Sequence, residues 1–377
     1  KEMLADEITA DLRALRAGAL RQARRQNGRV TCELESKGIA FGAITAWPDG
    51  TVDASQVAGV DEDLRVRPFF AHGGAYSIRE FAIGAWNDEM GLQSVDPDTL
   101  TASNGGVVAT PAGLVLNGAL DKIKAPPVLD AQQDADNDGV SNEIPASLVD
   151  HMEFYLLNYF KPATHEQDNR TAQGLRLFKR IGCAECHVPD LRLNRDRRVA
   201  DVETVYDAER GIFNNLFATA LPLFNEMRDS QSLPSLKRPR WQPFEVRNIF
   251  TDFKRHDLGP NFHERNFDGT LRTLFLTTPL WGVGTTAPYG HDGRSINLLE
   301  VILRHGGEAQ ASRAEFAQLA APQRRALLDF LQSLVLFPPD DTASNLDPGD
   351  RHAPGFPQFK HGGIKLTALF HNPNDVE

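Results

Sequence analysis

One short stretch of the chain carries the clearest chemical signal, the run Cys183-Ala-Glu-Cys186-His187. Two thiols separated by two residues and followed at once by an imidazole are the pattern of a c-type haem attachment site. The thiols of such a site bond to the haem vinyl groups, and the histidine becomes the proximal ligand of the iron. A redox dithiol would not need the histidine, and a zinc site would need a second Cys/His pair, which the sequence lacks. We therefore predict haem c as the cofactor, held by Cys183, Cys186 and His187.

The sixth position of the iron has several candidate ligands in the sequence. They are His256 in Arg-His-Asp-Leu-Gly, His291 in Tyr-Gly-His-Asp-Gly, His305 in Arg-His-Gly-Gly, and Met227. A second imidazole would close the iron and leave an electron carrier, whereas an open position would permit peroxide or oxygen chemistry. The spacing of these residues does not choose between them.

Residues 134–143 form a second candidate site, because oxygen-bearing side chains alternate there around a glycine. This arrangement is typical of the start of a calcium-binding loop, although an Asx-rich solvated turn would look similar. Position twelve of an EF-hand would be Pro145 rather than glutamate, so the segment is no complete EF-hand. We predict a structural Ca²⁺ that fixes the connection between the two halves of the chain. The expected ligands are Asp134, Asp136, Asp138, Asn142 and the carbonyl of Val140.

Composition limits the class of protein. The chain has 377 residues, which predicts two or three domains, and its 51 acidic against 40 basic residues argue against nucleic-acid binding. No apolar run approaches the roughly 18 residues of a membrane span. Covalent haem attachment takes place outside the bacterial cytoplasm, so we expect a periplasmic or otherwise exported protein. The chain starts at Lys1 without a charged and then apolar leader, which indicates a processed or truncated form.

The elements that position these residues are predicted to be helical, since apolar residues recur at helical spacing and alternating runs are scarce. Helices are expected near residues 4–15, 77–87, 171–182 and 323–337, and the third leads directly into the haem motif. The predicted fold is mainly α, with two cytochrome c-like domains in tandem and long irregular loops. The expected ranges are 1–165 for the N-terminal domain, which lacks its own Cys-x-x-Cys-His, 166–340 for the C-terminal haem domain, and 341–377 for an irregular extension.

A weak internal repeat supports two similar domains. His72-Gly-Gly is followed by Ser77 and Glu80, and His291-Asp-Gly is followed by Asn297 and Glu300. Each half thus has a glycine turn and then a capped helix. The remaining cysteine, Cys32, is expected to be a buried free thiol.

Three motifs together resemble the di-haem oxidoreductase family, whose members are also called thiol oxidoreductases. They are Asp252-Phe-Lys-Arg-His-Asp-Leu-Gly-Pro260, Leu280-Trp-Gly-Val-Gly-Thr-Thr-Ala-Pro-Tyr-Gly-His-Asp-Gly-Arg294 and Ile302-Leu-Arg-His-Gly-Gly-Glu-Ala309. The family is related to the bacterial di-haem cytochrome c peroxidases and to the methylamine dehydrogenase maturation enzyme. The resemblance extends from about residue 4 to residue 337.

The resemblance implies roles for particular residues. His305 stands where the peroxidases have the distal ligand of the C-terminal haem, which implies a bis-histidine, low-spin haem, with His256 and His291 as the other candidates. Glu89 stands where the peroxidases have the acid/base of the peroxide-reacting haem, and there it would move a proton between the oxygens of peroxide. The family usually has a further haem segment upstream of Lys1, and this chain lacks it.

These observations predict an exported haem protein that carries single electrons as part of a di-haem, peroxidase-like oxidoreductase. A second haem would then come from a missing segment or from another chain, and a redox partner protein is expected. The alternative is a non-enzymatic, mono-haem electron-transfer subunit of a larger complex. Oxygen-dependent cleavage of a hydrophobic polymer is a third, weaker hypothesis.

Overall fold

The computed structural model describes residues 1–158, 163–164, 168–197, 203–207, 211–215 and 243–335. The predicted extension at 341–377 and the candidate ligand Met227 lie outside the described residues.

The first half of the chain combines helices with short strands. Its elements are α1 (Glu2–Gln26), β1 (Val30–Ser36), β2 (Ile39–Ala46), β3 (Val52–Val57), α2 (Ile78–Met90), α3 (Pro97–Ser103), β4 (Val107–Ala109), β5 (Val115–Asn117) and α4 (Ala146–Asn158).

The second half is built in the same way from short strands and helices. Its strands are β6 (Ala163–Thr164), β7 (Leu191–Leu193), β8 (Glu203–Asp207), β9 (Gly211–Asn215), β10 (Phe244–Val246), β11 (Arg255–Asp257), β12 (Glu264–Arg265), β13 (Leu271–Arg272), β14 (Leu274–Leu276) and β15 (Leu334–Val335). Its helices are α5 (Asn169–Arg180), α6 (Leu298–Arg304), α7 (Gln310–Gln318) and α8 (Ala321–Gln332), with short 3₁₀ turns at Cys183–Glu185, Val283–Thr285 and Gly307–Ala309.

The prediction of a mainly α, cytochrome c-like fold is wrong. The described residues contain one three-stranded sheet, in the order β1-β2-β3, and six two-stranded sheets. Lys37 and Gly38 join β1 to β2 with φ of 53° and 76°, the left-handed pair that a tight hairpin requires. Strand β1 does alternate, with Val30, Cys32 and Leu34 toward the core and Thr31, Glu33 and Glu35 exposed, but this run is only seven residues long and the predicted elements do not include it.

The helix predicted near the N-terminus is confirmed as α1, which continues to Gln26. Its residues Leu4, Ile8 and Leu12 are almost fully buried and belong to a first core, to which the sheet contributes Leu34 and Phe41. The first core also includes side chains from the second half, namely Leu191, Leu193, Ile249 and Phe253. Cys32, on β1, is half-buried and forms no disulfide.

A second core lies around α5 and α8. The rings of Phe178, Phe250 and Phe330 meet edge to face, with centroids 5.5 to 5.6 Å apart. The helix predicted before the haem motif is confirmed as α5. The last predicted helix was too long, because α8 ends at Gln332 and the next residues, Leu334 and Val335, pair instead with strand β6.

The internal repeat is visible in the backbone. Phe69 pairs with Ala75, and Tyr289 pairs with Ser295 in the same way. The capping side chains of Ser77 and Asn297 then accept hydrogen bonds from the N–H groups of Glu80 and Glu300, at 3.0 and 2.9 Å. The two glutamates in turn accept from the N–H groups of Tyr76 and Ile296. Aligned on these pairs, His72 corresponds to Asp292, so the two histidines are not equivalent.

Candidate functional site

The haem motif begins where helix α5 ends. Gly182 has a φ of 89°, a left-handed conformation that turns the chain out of the helix and into the 3₁₀ turn Cys183–Glu185. The N–H of His187 then donates to the carbonyl of Cys183 at 3.0 Å, which keeps the motif compact. Both cysteines of the motif are free thiols, and burial raises the pKa of the Cys183 thiol to about 12.

A cavity of about 400 Å³ opens against this turn, a volume in the range of small-molecule and cofactor sites. Cys183, Cys186 and His187 line it, together with three histidines from the second half. Most of the remaining wall is apolar, and its members include Phe178, Leu298, Ile302, Phe316, Leu327 and Leu331. The cavity therefore combines two thiols and several imidazoles with a largely dry wall.

Two of the lining histidines are oriented by main-chain carbonyls. The Nδ1 of His187 lies 3.1 Å from the carbonyl oxygen of Phe250, and the Nδ1 of His305 lies 2.7 Å from that of Val301. Such contacts fix the ring and leave Nε2 for a metal, as is usual for metal-binding histidines. Burial lowers the pKa of His187 to about 4, a second proton on the nearby His305 would be repelled as well, and burial also lowers the pKa of His305. Both rings are thus neutral at pH 7, the form that binds metal.

His256 is held differently, since both of its ring nitrogens face carboxylates. Nε2 lies 2.8 Å from Asp252, and Nδ1 lies 2.7 Å from Glu308. Although burial opposes the charge, these hydrogen bonds and one to Cys186 raise the pKa of His256 to about 11. A charged imidazole with both nitrogens engaged has no lone pair for iron. The Cys186 sulfur, the Asp252 carboxylate and the His256 ring nitrogen also lie within 4.8 Å of one another.

His291 lines the cavity but is packed as an aromatic ring. Its ring stacks on Phe275 with centroids 3.9 Å apart, and burial lowers its pKa. Its Nε2 lies 3.9 Å from a carboxylate oxygen of Glu264, beyond hydrogen-bond distance.

The donor set of the cavity fits a haem. Two thiols stand one turn apart, one oriented imidazole follows them, and a second comes from the end of α6. Thiols and imidazoles are the donors that a covalently attached haem requires.

The structure does not bring Glu89 to this cavity. Glu89 is exposed in the last turn of α2 and is not among the lining residues. Its predicted role as an acid/base concerns another haem and stays a prediction.

The Asp-rich loop gathers three of its five predicted ligands. Carboxylate oxygens of Asp134, Asp136 and Asp138 lie within 4.8 Å of one another, and the N–H of Gly139 donates to Asp134 at 2.9 Å. That N–H lowers the pKa of Asp134, whereas local desolvation and the neighbouring carboxylates raise the pKa of Asp136.

The other two predicted residues also form hydrogen bonds, Asn142 with a residue outside the loop and Val140 through its N–H rather than its predicted carbonyl ligand. The side-chain oxygen of Asn142 accepts from the N–H of Val95 at 3.3 Å. The N–H of Val140 donates to Asp138 at 2.7 Å.

Comparison with known proteins gives a match to one protein family over part of the chain. Residues 239–334 match the model of the family described as "Di-haem oxidoreductase, putative peroxidase", and the match contains His256, His291 and His305. It confirms the predicted resemblance to the di-haem oxidoreductase family and supports haem binding. No curated protein and no solved structure matches the chain. Within the described residues, no helix has both the length and the apolar character needed to cross a membrane.

Sequence reasoning missed the residues that orient the site. Glu308 and Asp252 stand within the quoted motifs, but nothing in their spacing showed that both would contact His256. The carbonyl of Phe250 left no signal in the sequence at all, because any residue supplies a carbonyl.

Proposed function

We propose that the chain is a c-type haem protein of the di-haem oxidoreductase family. Cys183 and Cys186 would form the thioether bonds, and His187 and His305 would bind the iron. The observation that carries this proposal is the cavity itself, where both thiols and both neutral imidazoles line one apolar space. His256 is the weaker candidate for the distal ligand, because carboxylates occupy both of its nitrogens.

The haem, when bound, supplies one-electron oxidation and reduction. The protein's own residues determine how that chemistry is used. Phe250 and Val301 fix the two imidazoles through their carbonyl groups, so neither ring has to turn when the charge of the site changes. The apolar wall excludes water, and His187 and His305 would together hold the iron without an open position for peroxide or oxygen. A haem held in this way would carry single electrons and would not itself bind the oxidant.

The reaction served by these electrons follows from the family. A peroxidase-like oxidation would take place at another haem, with Glu89 as its acid/base, and that haem would come from a segment or a chain outside the present sequence. The alternative is an electron-transfer subunit without its own catalysis. Consumption of hydrogen peroxide by the protein with its natural partner segments would favour the enzyme, and its absence would favour the subunit.

The proposal also includes the location of the protein, a calcium ion and a redox partner. Attachment of haem c implies maturation outside the bacterial cytoplasm, so we propose a periplasmic or otherwise exported protein. The clustered carboxylates of Asp134, Asp136 and Asp138 support Ca²⁺ in the Asp-rich loop. A redox partner protein would exchange electrons with the haem.

The test is a pyridine haemochrome assay with protein quantification, followed by an oxidised spectrum. We expect one low-spin haem per chain. His305→Ala should convert that haem to a high-spin form without loss of the covalent attachment. His291→Ala is the matched control, because His291 lines the same cavity, and it should leave the haem low-spin. A high-spin shift in the His291 variant and not in the His305 variant would overturn the ligand assignment.

A further inference from the structure

The two thiols of the cavity are held by different means. Cys183 packs against the second core, and no side-chain hydrogen bond reaches its sulfur within the described residues. Cys186 packs against none of the apolar cores found in the described part of the chain. It lies beside polar side chains instead, so its position depends on them.

The polar neighbours of Cys186 are three connected side chains. The Cys186 sulfur, a carboxylate oxygen of Asp252 and a ring nitrogen of His256 lie within 4.8 Å of one another, and a hydrogen bond joins the sulfur to the ring. Nε2 of His256 lies 2.8 Å from Asp252, and Nδ1 lies 2.7 Å from Glu308. His256 and Glu308 line the same cavity as both thiols.

The backbone holds the imidazole through these two carboxylates. Each carboxylate uses one oxygen for the ring and the other for a main-chain N–H. Asp252 accepts from the N–H of Lys254 at 2.9 Å, and Glu308 accepts from the N–H of Asp257 at 2.9 Å. An imidazole bonded at both nitrogens cannot turn without losing a hydrogen bond, so the ring of His256 has one orientation beside the sulfur.

Attachment of haem c requires each sulfur to meet one vinyl group. In that step the S–H bond and the π bond of the vinyl group break. The sulfur bonds to the carbon next to the porphyrin ring, and the hydrogen goes to the terminal carbon, so atoms and electrons balance without an oxidant or a reductant. The step is favoured when the reacting atoms are held about 3–3.5 Å apart in the correct orientation. A cysteine side chain has three rotamers, and a contact that selects one of them therefore promotes the reaction.

We propose that His256, fixed by Asp252 and Glu308, is a positioning residue that holds the Cys186 sulfur for thioether formation. Attachment at Cys183 does not depend on His256, because apolar packing against the second core holds that thiol. The inference rests on the proposed function, since it requires haem c. It also gives a use to an imidazole that is unsuited to bind iron.

The experiment compares full chains that have matured in a bacterium able to attach haem c. His256→Ala should lose the thioether at Cys186 in most molecules and keep the one at Cys183. Mass spectrometry of haem-bearing peptides locates the bonds, and the pyridine haemochrome band moves to longer wavelength when one vinyl group remains. Cys186→Ala is the reference for a single thioether, and adding His256→Ala to it should change nothing more. His291→Ala is the matched control, because His291 lines the same cavity, and it should keep both bonds.

A second variant, Glu308→Gln, covers the case in which His256→Ala does not fold. The side chain of Glu308 is 53% exposed, and glutamine keeps its size and one acceptor oxygen. The other oxygen becomes an amide donor, which cannot accept from His256, so the share of haem attached through Cys183 alone should rise several-fold. Glu264→Gln is its control, because Glu264 is equally exposed at 53% and faces His291 instead, and it should leave that share unchanged.

The outcomes separate the two proposals. A wild-type chain without haem would overturn the proposed function and this inference together. A haem-loaded wild type whose two thioethers persist in the His256→Ala and Glu308→Gln chains would overturn this inference alone. Loss of both thioethers at once, in a variant whose circular dichroism matches the wild type, would also overturn it, because the whole cavity rather than one sulfur would then depend on His256.

Discussion

At the scale of single residues, the site is defined by what each imidazole is bonded to. His187 and His305 are tied to carbonyl oxygens through Nδ1, while His256 is tied to two carboxylates. Burial favours the neutral rings of His187 and His305, and the carbonyl contact at Nδ1 leaves Nε2 available, whereas two carboxylates favour the charged ring of His256. His187 and His305 are therefore suited to bind a metal, whereas His256 is not.

The close packing of α5 against α8 in the second core depends on Gly174. A Cβ built at Gly174 would lie 2.0 Å from the carbonyl oxygen of Ala326 and 2.6 Å from the Cβ of Phe330, so α5 and α8 could not approach as they do. We expect Gly174→Ala to lower the free energy of unfolding by about 1–3 kcal/mol, as overpacking usually does. Chemical denaturation of the purified protein measures the change.

Gly18→Ala is the matched control for this substitution. Gly18 also lies within a helix, α1, and a Cβ there meets only the flexible end of Arg21 at 3.9 Å. Alanine at this position should raise the free energy of unfolding by about 0.5–1 kcal/mol, since it favours the helix. Equal effects of the two substitutions would show that close packing at Gly174 is not the cause.

At the scale of elements, a buried charge cluster joins α2, α3 and α4. Arg79 of α2 is fully buried and contacts Asp96, which caps α3, and both Asp150 and Glu153 of α4, at 2.6 to 3.0 Å. Three buried carboxylates around one guanidinium leave an excess of negative charge when all are ionised. Burial raises the pKa of Glu153 to about 7 and also raises that of Asp150.

This cluster predicts a pH-dependent stability. The pKa of Glu153 is higher in the folded chain than in the unfolded one, where it is near 4.5. Protonated Glu153 therefore contributes fully to the free energy of unfolding below pH 4.5. This contribution is lost as the pH rises through about 7, a change of roughly 3 kcal/mol at most. Glu153→Gln should make thermal stability less dependent on pH between 5 and 8.

The groups that face Glu153 belong to several elements. They are Arg79 of α2, Thr110 in the turn after β4 and Asp150 of α4, while Asp96, the cap of α3, and Asp98 face the same guanidinium and His151 faces Asp150. Glu89→Gln is the control, because Glu89 is an exposed carboxylate on the same helix as Arg79. A melting curve that depends on pH as strongly in the Glu153 variant as in the wild type would rule out Glu153 as the titrating group.

At the scale of the whole molecule, the Asp-rich loop is tied to a distant part of the first half. Ser94 pairs with Ile144, and the N–H of Gln93 donates to Glu143 at 2.8 Å. An ordered Asp-rich loop therefore holds the segment between α2 and α3 in place, and it also holds the start of α4.

Calcium should stabilise this arrangement. We expect a chelator to lower the melting temperature of the wild-type protein, since a ligand present at a hundred times its dissociation constant stabilises by about 3 kcal/mol. Asp136→Asn should abolish the difference between samples with calcium and with chelator. Asp130→Asn, just outside the loop, should keep it. Melting curves of the wild type that coincide in both conditions would remove the calcium proposal.

The sequence by itself determined the features that depend on neighbouring residues. The haem motif, helices α1 and α5, and the caps at Ser77 and Asn297 all follow from spacings of a few residues, so a linear pattern contains them. The family resemblance was likewise carried by contiguous motifs, and the match at residues 239–334 confirms it.

Tertiary structure decided what depends on distant parts of the chain. The β1-β2-β3 sheet packs against α1, and its short strands pair with segments that are separate in the sequence, so no local spacing specifies the sheet. The choice among His256, His291 and His305 depends on partners such as Asp252, Glu308, Phe275 and the carbonyl of Val301. Protonation and ring orientation follow from burial and from these contacts, and no spacing along the sequence specifies them.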